Sequence, residues 1–360
     1  MTGSIVRCGA LSIGLLSIIL GLFLSGIPRQ LGFFTIMPYL LHGHSSYGLV
    51  PAFLDGTKWG YTFEEFEEVR LDGQTALVTG ANAGIGFSLS KYLAKQGATV
   101  YMACRNDIKC NAASQKIDGH TVTLTLDTSV LDSVRTCAEH LRQRIDRLDM
   151  FFMNAGTAGS RTNEDGTLGT SVDGIEHVFA TNHVGHHLLY RLLSDKIAAA
   201  PVARIVLTSS AANYNSYPYG VATDLEQLNK APGGLLPYAQ SKLAQILWAQ
   251  ELTRRLGKDS TVFANAFHPG AVATEIWGKN DLLPLSVRNF IERHMNSIMW
   301  SCDEGALTGL YLGVHAGIAD KTIRGKYYHP QAAQQRPSPH AFDEALQRRL
   351  WIFLDSLTDE

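Results

Sequence analysis

The segment Thr79-Gly80-Ala81-Asn82-Ala83-Gly84-Ile85-Gly86 constrains this chain more than any other. It closes a short apolar run, Thr75-Ala76-Leu77-Val78-Thr79, and opens a stretch of helical spacing from Ile85 to Gln96 that stops at Gly97. Three glycines between a buried strand and a helix suit a nucleotide site. Gly80 allows the tight turn, Gly84 lets the backbone approach a pyrophosphate, and Gly86 lets the helix pack close to the strand. The helix N-terminus then offers its N–H groups to the anion. A plain glycine turn is the competing reading, and the position between strand and helix argues against it.

The same alternation continues along the chain. Strand-like runs at 98–103, 122–126, 150–153, 204–208 and 262–266 are separated by helical stretches. They are apolar on both faces, which implies a parallel sheet covered by helices on both sides. The expected fold is α/β, a doubly wound parallel sheet of Rossmann type. It forms a single catalytic domain over 71–335, with a C-terminal helical extension at 336–360. Ligands of such folds bind beyond the carboxyl ends of the strands.

Charge is distributed unevenly. Residues 1–60 hold only Arg7, Arg29, Asp55 and Lys58, and the other 300 residues hold 60 of the 64 charges. From Cys8 to Pro28 there are 21 uncharged residues, and as a helix they would reach roughly 30 Å, one bilayer core. Residues 1–30 are therefore read as a membrane anchor, and 31–70 as an interfacial or linker segment interrupted by Pro38, Gly43 and Pro51. A cleaved signal peptide competes, because Arg7 makes a short basic start, but the apolar stretch exceeds the usual h-region of about 7–15 residues. A buried soluble helix is the third reading. Arg7 and Arg29 flank the span almost symmetrically and leave its orientation open.

The net charge of −2 and the lack of a basic block exclude the electrostatic footprint of a nucleic-acid binder. Five scattered cysteines without a CxxC indicate neither a disulfide framework nor a zinc site. Cys104 and Cys110 are read as free thiols near a strand end. His183, His186 and His187 tempt a metal reading, but no acidic or Cys partner completes a site, so no metal is expected.

Further motifs follow in order: Asn154-Ala155-Gly156, Thr181-Asn182-His183-Val184-Gly185, Ser209-Ser210, Tyr238-Ala239-Gln240-Ser241-Lys242 and His268-Pro269-Gly270-Ala271-Val272-Ala273-Thr274. With the TGxxxGxG spacing of the glycine loop, this series resembles the short-chain dehydrogenase/reductase family over about residues 72–330. Met153 departs from the pattern, which usually has Asn there. Ala103-Cys104-Arg105, the TNHVGH segment and YAQSK are most similar to the membrane-associated retinol dehydrogenase-like subgroup.

The resemblance implies a catalytic set of Asn182, Ser210, Tyr238 and Lys242. Tyr238 and Lys242, four apart, share a helix face, and a neighbouring ammonium is expected to lower the phenol toward the working range. Ser210 would stabilise charge on the substrate oxygen, and it is preferred over Ser209 by register. Asn182 would hold a water linking Lys242 to solvent.

The implied cofactor residues begin with Gly80, Asn82, Gly84, Ile85 and Gly86 of the loop. They continue with Asp127 at the adenine, with Asn154, Ala155 and Gly156, with Tyr238 and Lys242, and with Pro269, Gly270, Val272 and Thr274. Arg105 at the end of the second strand can pair with a ribose 2′-phosphate, where an acidic residue would repel it. NADP(H) is expected, with NAD(H) the alternative if Arg105 is only a surface charge.

Tyr214, Tyr217, Tyr219, Leu225, Leu228, Leu235 and Leu236 precede or surround the YxxxK start, and Ile276, Trp277, Leu282, Leu283, Phe290 and Trp300 follow Thr274. They suit a greasy pocket, although core packing explains them equally well. The expected activity is hydride transfer between NADP(H) and a lipophilic alcohol or carbonyl: retinoid-, steroid- or polyprenoid-like. Its setting would be a single-pass membrane protein, of the endoplasmic reticulum or a lipid droplet, with membrane lipid as a contact. A homodimer is left open. The alternatives are a membrane-tethered nucleotide sensor or scaffold and a pigment reductase.

Overall fold

The computed structural model describes residues 60–159, 168–272 and 299–359. The expected anchor, residues 31–59, Thr274 and the apolar stretch from Ile276 to Phe290 lie outside the described residues. Among the described residues no helix is long and apolar enough to cross a membrane.

Eight strands form one sheet: β1 Thr75–Thr79, β2 Thr99–Cys104, β3 Thr121–Thr125, β4 Met150–Met153, β5 Ala203–Thr208, β6 Val262–Phe267, β7 Tyr327–His329 and β8 Ala333–Gln335. Their spatial order is β3-β2-β1-β4-β5-β6-β7-β8. All neighbouring pairs are parallel except the last, β7 with β8. The order reverses between β1 and β4, which opens a crevice at their carboxyl ends.

The numbered helices are α1 Phe63–Glu67, α2 Gly84–Lys95, α3 Asp107–Ser114, α4 Leu131–Arg142, α5 Gly185–Ala198, α6 Leu225–Lys230, α7 Leu236–Leu256, α8 Cys302–Val314 and α9 Glu344–Thr358. The parallel register aligns the apolar residues in rows across the sheet. Leu77 lies beside Tyr101 and Phe151, and Phe151 beside Ile205; this row enters one core with α4, α5, α7 and α9. Val78 lies beside Met102 and Phe152, and Phe152 beside Val206; that row enters the second core with α1, α2 and α8. Phe151 and Phe152, adjacent in sequence, are fully buried on opposite faces. Each contributes about 2–3 kcal/mol of burial.

The C-terminal helix α9 shares the first core. Its Leu350, Trp351 and Leu354 are buried, and Trp351 stacks on Trp248 of α7 with ring centroids 5.5 Å apart. Trp248 Nε1 donates to His187 Nδ1 at 3.0 Å. The His187 proton therefore resides on Nε2, which faces Asp355 Oδ1 of α9 at 3.0 Å.

One sequence expectation is overturned near the end of β2: Cys104 and Cys110 are joined in a disulfide, not left as free thiols. Asn106 caps α3 by accepting from Lys109 N, which starts the helix at once. Its first turn carries Cys110 back over the strand end, with the two Cα atoms 5.9 Å apart. Cysteine spacing alone does not reveal that return.

Candidate active site

The glycine loop has the geometry its spacing implies. Gly80 has φ +66 and Gly84 has φ +59, a left-handed region open to glycine at little cost. A Cβ on Gly86 would lie 2.3 Å from Gly80 O and 2.6 Å from Asn154 Nδ2, so only a bare Cα fits. No side chain caps the N-terminus of α2, which leaves its first N–H groups for an anion. Asn82 and Ile85 lie beside the loop, partly exposed.

Thr79 knots this loop to the next strand. Its hydroxyl accepts from Asn154 N and Ala155 N, both at 2.9 Å, while Asn154 Nδ2 donates to Thr79 O at 3.0 Å. His186 sits behind it, with Nε2 2.8 Å from Thr79 Oγ1 and Nδ1 3.0 Å from Asn182 O. A carbonyl can only accept, so Nδ1 carries the proton. Burial holds the ring neutral by pushing its pKa down to about 4, so Nε2 accepts the Thr79 hydroxyl proton. This buried chain links the glycine loop to the Asn182 segment, and sequence reasoning did not single out His186 for it.

Asn182 lies in a π-helical segment, Ala180–Val184, ahead of α5. Its side chain is fully buried. Oδ1 accepts from Thr157 N, and Nδ2 donates to Thr157 O and to Ser241 Oγ. Its main-chain carbonyl accepts both His186 Nδ1 and Gln245 Nε2, each at 3.0 Å. The atoms on which a relay water was expected are thus largely taken by protein groups.

The two serines at the end of β5 differ. Ser209 is buried and donates to Lys242 O at 2.7 Å. Ser210 accepts from Ala212 N, and its side chain lies close enough to the Tyr238 phenol to act on its pKa. Lys242 Nζ lies 5.5 Å from the Tyr238 ring centroid, donates to Thr208 O at 2.7 Å and faces Gln245 Oε1 at 3.4 Å. The expected lowering of the phenol is not found. Burial pushes Tyr238 up, Ser210 pulls it back in part, and burial draws Lys242 itself down to about 7. Desolvation is the dominant influence on both groups.

Gly156 completes the floor: a Cβ there would come within 3.1 Å of Asn182 Oδ1 and 3.6 Å of Lys242 Nζ. Across the crevice, Val272 pairs with Trp300, and Ile85 and Val272 both approach Gly305 of α8. Gly270 has φ +91, and Pro269 beside it is partly exposed. Asp127, after β3, is occupied by Ser129, accepting from its N–H and its hydroxyl at 2.9 and 2.6 Å. Arg105 is exposed at the end of β2, and Asp107 accepts the Thr125 hydroxyl at 2.7 Å. Among the described residues no cluster of three metal-capable side chains exists. The bare glycine loop, the uncapped helix and a lysine beneath Gly156 fit a nicotinamide nucleotide.

The short chain dehydrogenase family model matches residues 74–223. Retinol dehydrogenase 13 of Homo sapiens is 36% identical over 293 residues, covering 78% of this chain and 83% of that protein. This chain belongs to the short-chain dehydrogenase family, oxidoreductases that use a nicotinamide nucleotide and act on CH–OH donors.

Within the family it is similar to the retinol dehydrogenases. Retinol dehydrogenase 12 of Homo sapiens is 32% identical over 289 residues, covering 79% of this chain and 85% of that one. Among solved structures, an uncharacterized protein from Mycobacterium Paratuberculosis superposes with a TM-score of 0.63 at 28% identity, covering 83% of this chain and 98% of that one.

Proposed function

We propose that this protein is a membrane-anchored reductase that moves a hydride between NADP(H) and a lipophilic carbonyl or alcohol of retinoid, steroid or polyprenoid type. The observation that carries the reading is the convergence of three side chains, with the Lys242 ammonium group 5.5 Å from the Tyr238 ring centroid and Ser210, at the end of β5, beside the phenol. When bound, the nicotinamide supplies or takes the hydride. The chain's own part is to hold the substrate oxygen and handle its proton. Ser210 donates a hydrogen bond to that oxygen, and Tyr238 gives it a proton in reduction or takes one in oxidation. A protonated phenol is ready for the acid role, and an NADP(H) pool kept reduced would favour carbonyl reduction. Lys242 would bond the ribose, and the exposed Arg105 supports a 2′-phosphate, hence NADP(H) over NAD(H). Asp127, Asn154, Pro269, Val272 and Thr274 would line the same cofactor path.

The uncharged stretch from Cys8 to Pro28, within residues 1–30, supports single-pass anchorage, proposed here for the endoplasmic reticulum, with the catalytic domain following from about residue 71. The test of activity is NADPH oxidation by the full chain with long-chain and polycyclic carbonyls. Tyr238→Phe should lower turnover by about 10²–10⁴-fold while nucleotide binding persists; unchanged turnover would sink the mechanism. The anchorage predicts that the full chain resists carbonate extraction from membranes, and release into the supernatant would contradict it.

A further inference from the structure

Gln245 lies one turn beyond Lys242 on α7 and is almost fully buried. Its amide has two partners of opposite kind: Nε2 donates to Asn182 O at 3.0 Å, and Oε1 faces Lys242 Nζ at 3.4 Å. The orientation of the amide is fixed by those partners, because a carbonyl can only accept and an ammonium can only donate. A buried amide at this place is costly unless both ends are satisfied, and here both are.

We propose that Gln245 is a positioning residue of this active site, a side-chain strut that ties the Lys242 ammonium to the Asn182 segment. The inference rests on the reading of Lys242 as part of the active site and goes beyond it in assigning the link to a side chain. The strut does two things. It fixes the distance between α7 and the π-helical segment at the point where Asn182 and Lys242 meet Gly156, and it supplies Nζ with an acceptor in a place where burial strips the charge of water. Thr208 O is the other acceptor. The titratable groups that face Nζ are Tyr238 from its own helix, His183 from the π-helical segment and His186 from the first turn of α5. Burial keeps both histidines neutral, so the ammonium relies on carbonyl oxygens.

The proton on Lys242 can be followed without turnover. With ¹³C-labelled lysine, the full chain free of nucleotide should show one lysine titrating near neutrality, in line with its lowering to about 7. Gln245→Met keeps the volume and removes the acceptor, so that titration should move to lower pH by at least about half a unit. Gln245→Glu retains an oxygen for Nζ in either protonation state, so its titration should stay at or above the original value. If Gln245→Met does not fold, Gln245→Asn keeps the amide but shortens its reach by one methylene and carries the same downward expectation.

In turnover, Gln245→Met should lower kcat by about tenfold with KM for the carbonyl unchanged, and Gln245→Glu should recover part of the loss. A Lys242 titration identical in the Met and original proteins, or moved alike by Met and Glu, would overturn the proposal. Absence of hydride transfer in the unaltered protein would strike the proposed reductase activity and leave the titration result standing, so the two failures are separable.

Discussion

The two sides of the crevice work by different means. On the β1–β3 side the useful atoms are backbone N–H groups, and what matters is the absence of side chains at Gly80, Gly84 and Gly86. On the β4–β6 side the useful atoms are on side chains, and what matters is that Asn182, Lys242 and Gln245 are held by hydrogen bonds beside Ser210 and Tyr238. Within the glycine loop the first side is most sensitive to added volume. The second tolerates volume changes better than the loss of a donor or acceptor.

Acid should break the comparison most strongly, because the buried histidines lie on the second side. Burial pushes His186 down to about 4 and both His268 and His329 down to about 3. The folded state therefore binds fewer protons than the unfolded chain below pH 6.5, and stability falls as pH drops from there toward 4. Glu176 acts in the opposite sense. Burial raises it to about 7, so its share of stability is lost as pH rises from about 4.5 to 7. His183 and His187 are lowered by burial in the same sense, so five imidazoles against one carboxylate leave a net loss in acid on the order of several kcal/mol. Thermal unfolding at pH 4.5 should come well below that at pH 7, and equal midpoints would contradict the assignment.

On the first side, Gly86→Ala should cost about 1–3 kcal/mol of stability, since its Cβ meets Gly80 O at 2.3 Å. It should also abolish measurable nucleotide binding. Retained affinity, read by quenching of protein fluorescence with NADPH, would show that the loop adjusts. The smallest effect is expected from Arg105→Asp. The exposed guanidinium is replaced by a group that repels a 2′-phosphate and accepts from a ribose hydroxyl, so the NADP/NAD preference should shift toward NAD by about tenfold or more. An unchanged ratio would reject the role of Arg105.

Legibility in the sequence follows the same division. The glycine loop was readable because a bare Cα leaves a letter at a fixed spacing, and the six longer strands were readable because their apolar runs span four to six residues. β7 and β8 have three residues each, too few for any period, and β7 takes its place from register with Ala266 and Phe267. Gln245 and His186 look like ordinary helix polar residues. The signal that could have found Gln245 is its place three residues past Lys242 among Leu243, Ala244, Ile246 and Leu247, where a lone amide on a buried face needs partners. The Cys104–Cys110 bond was hidden for another reason: it depends on how abruptly α3 begins, and that is set by Asn106.

The C-terminal helix has a consequence for assembly. Because α9 lays Leu350, Trp351 and Leu354 against the core and engages α7 through the Trp248–Trp351 stack and α5 through His187 and Asp355, that flank of the catalytic helix is already closed by its own chain. Two copies could meet there only by trading tails, each lending its last helix to the other. Any other pairing has to begin on a different wall of the molecule.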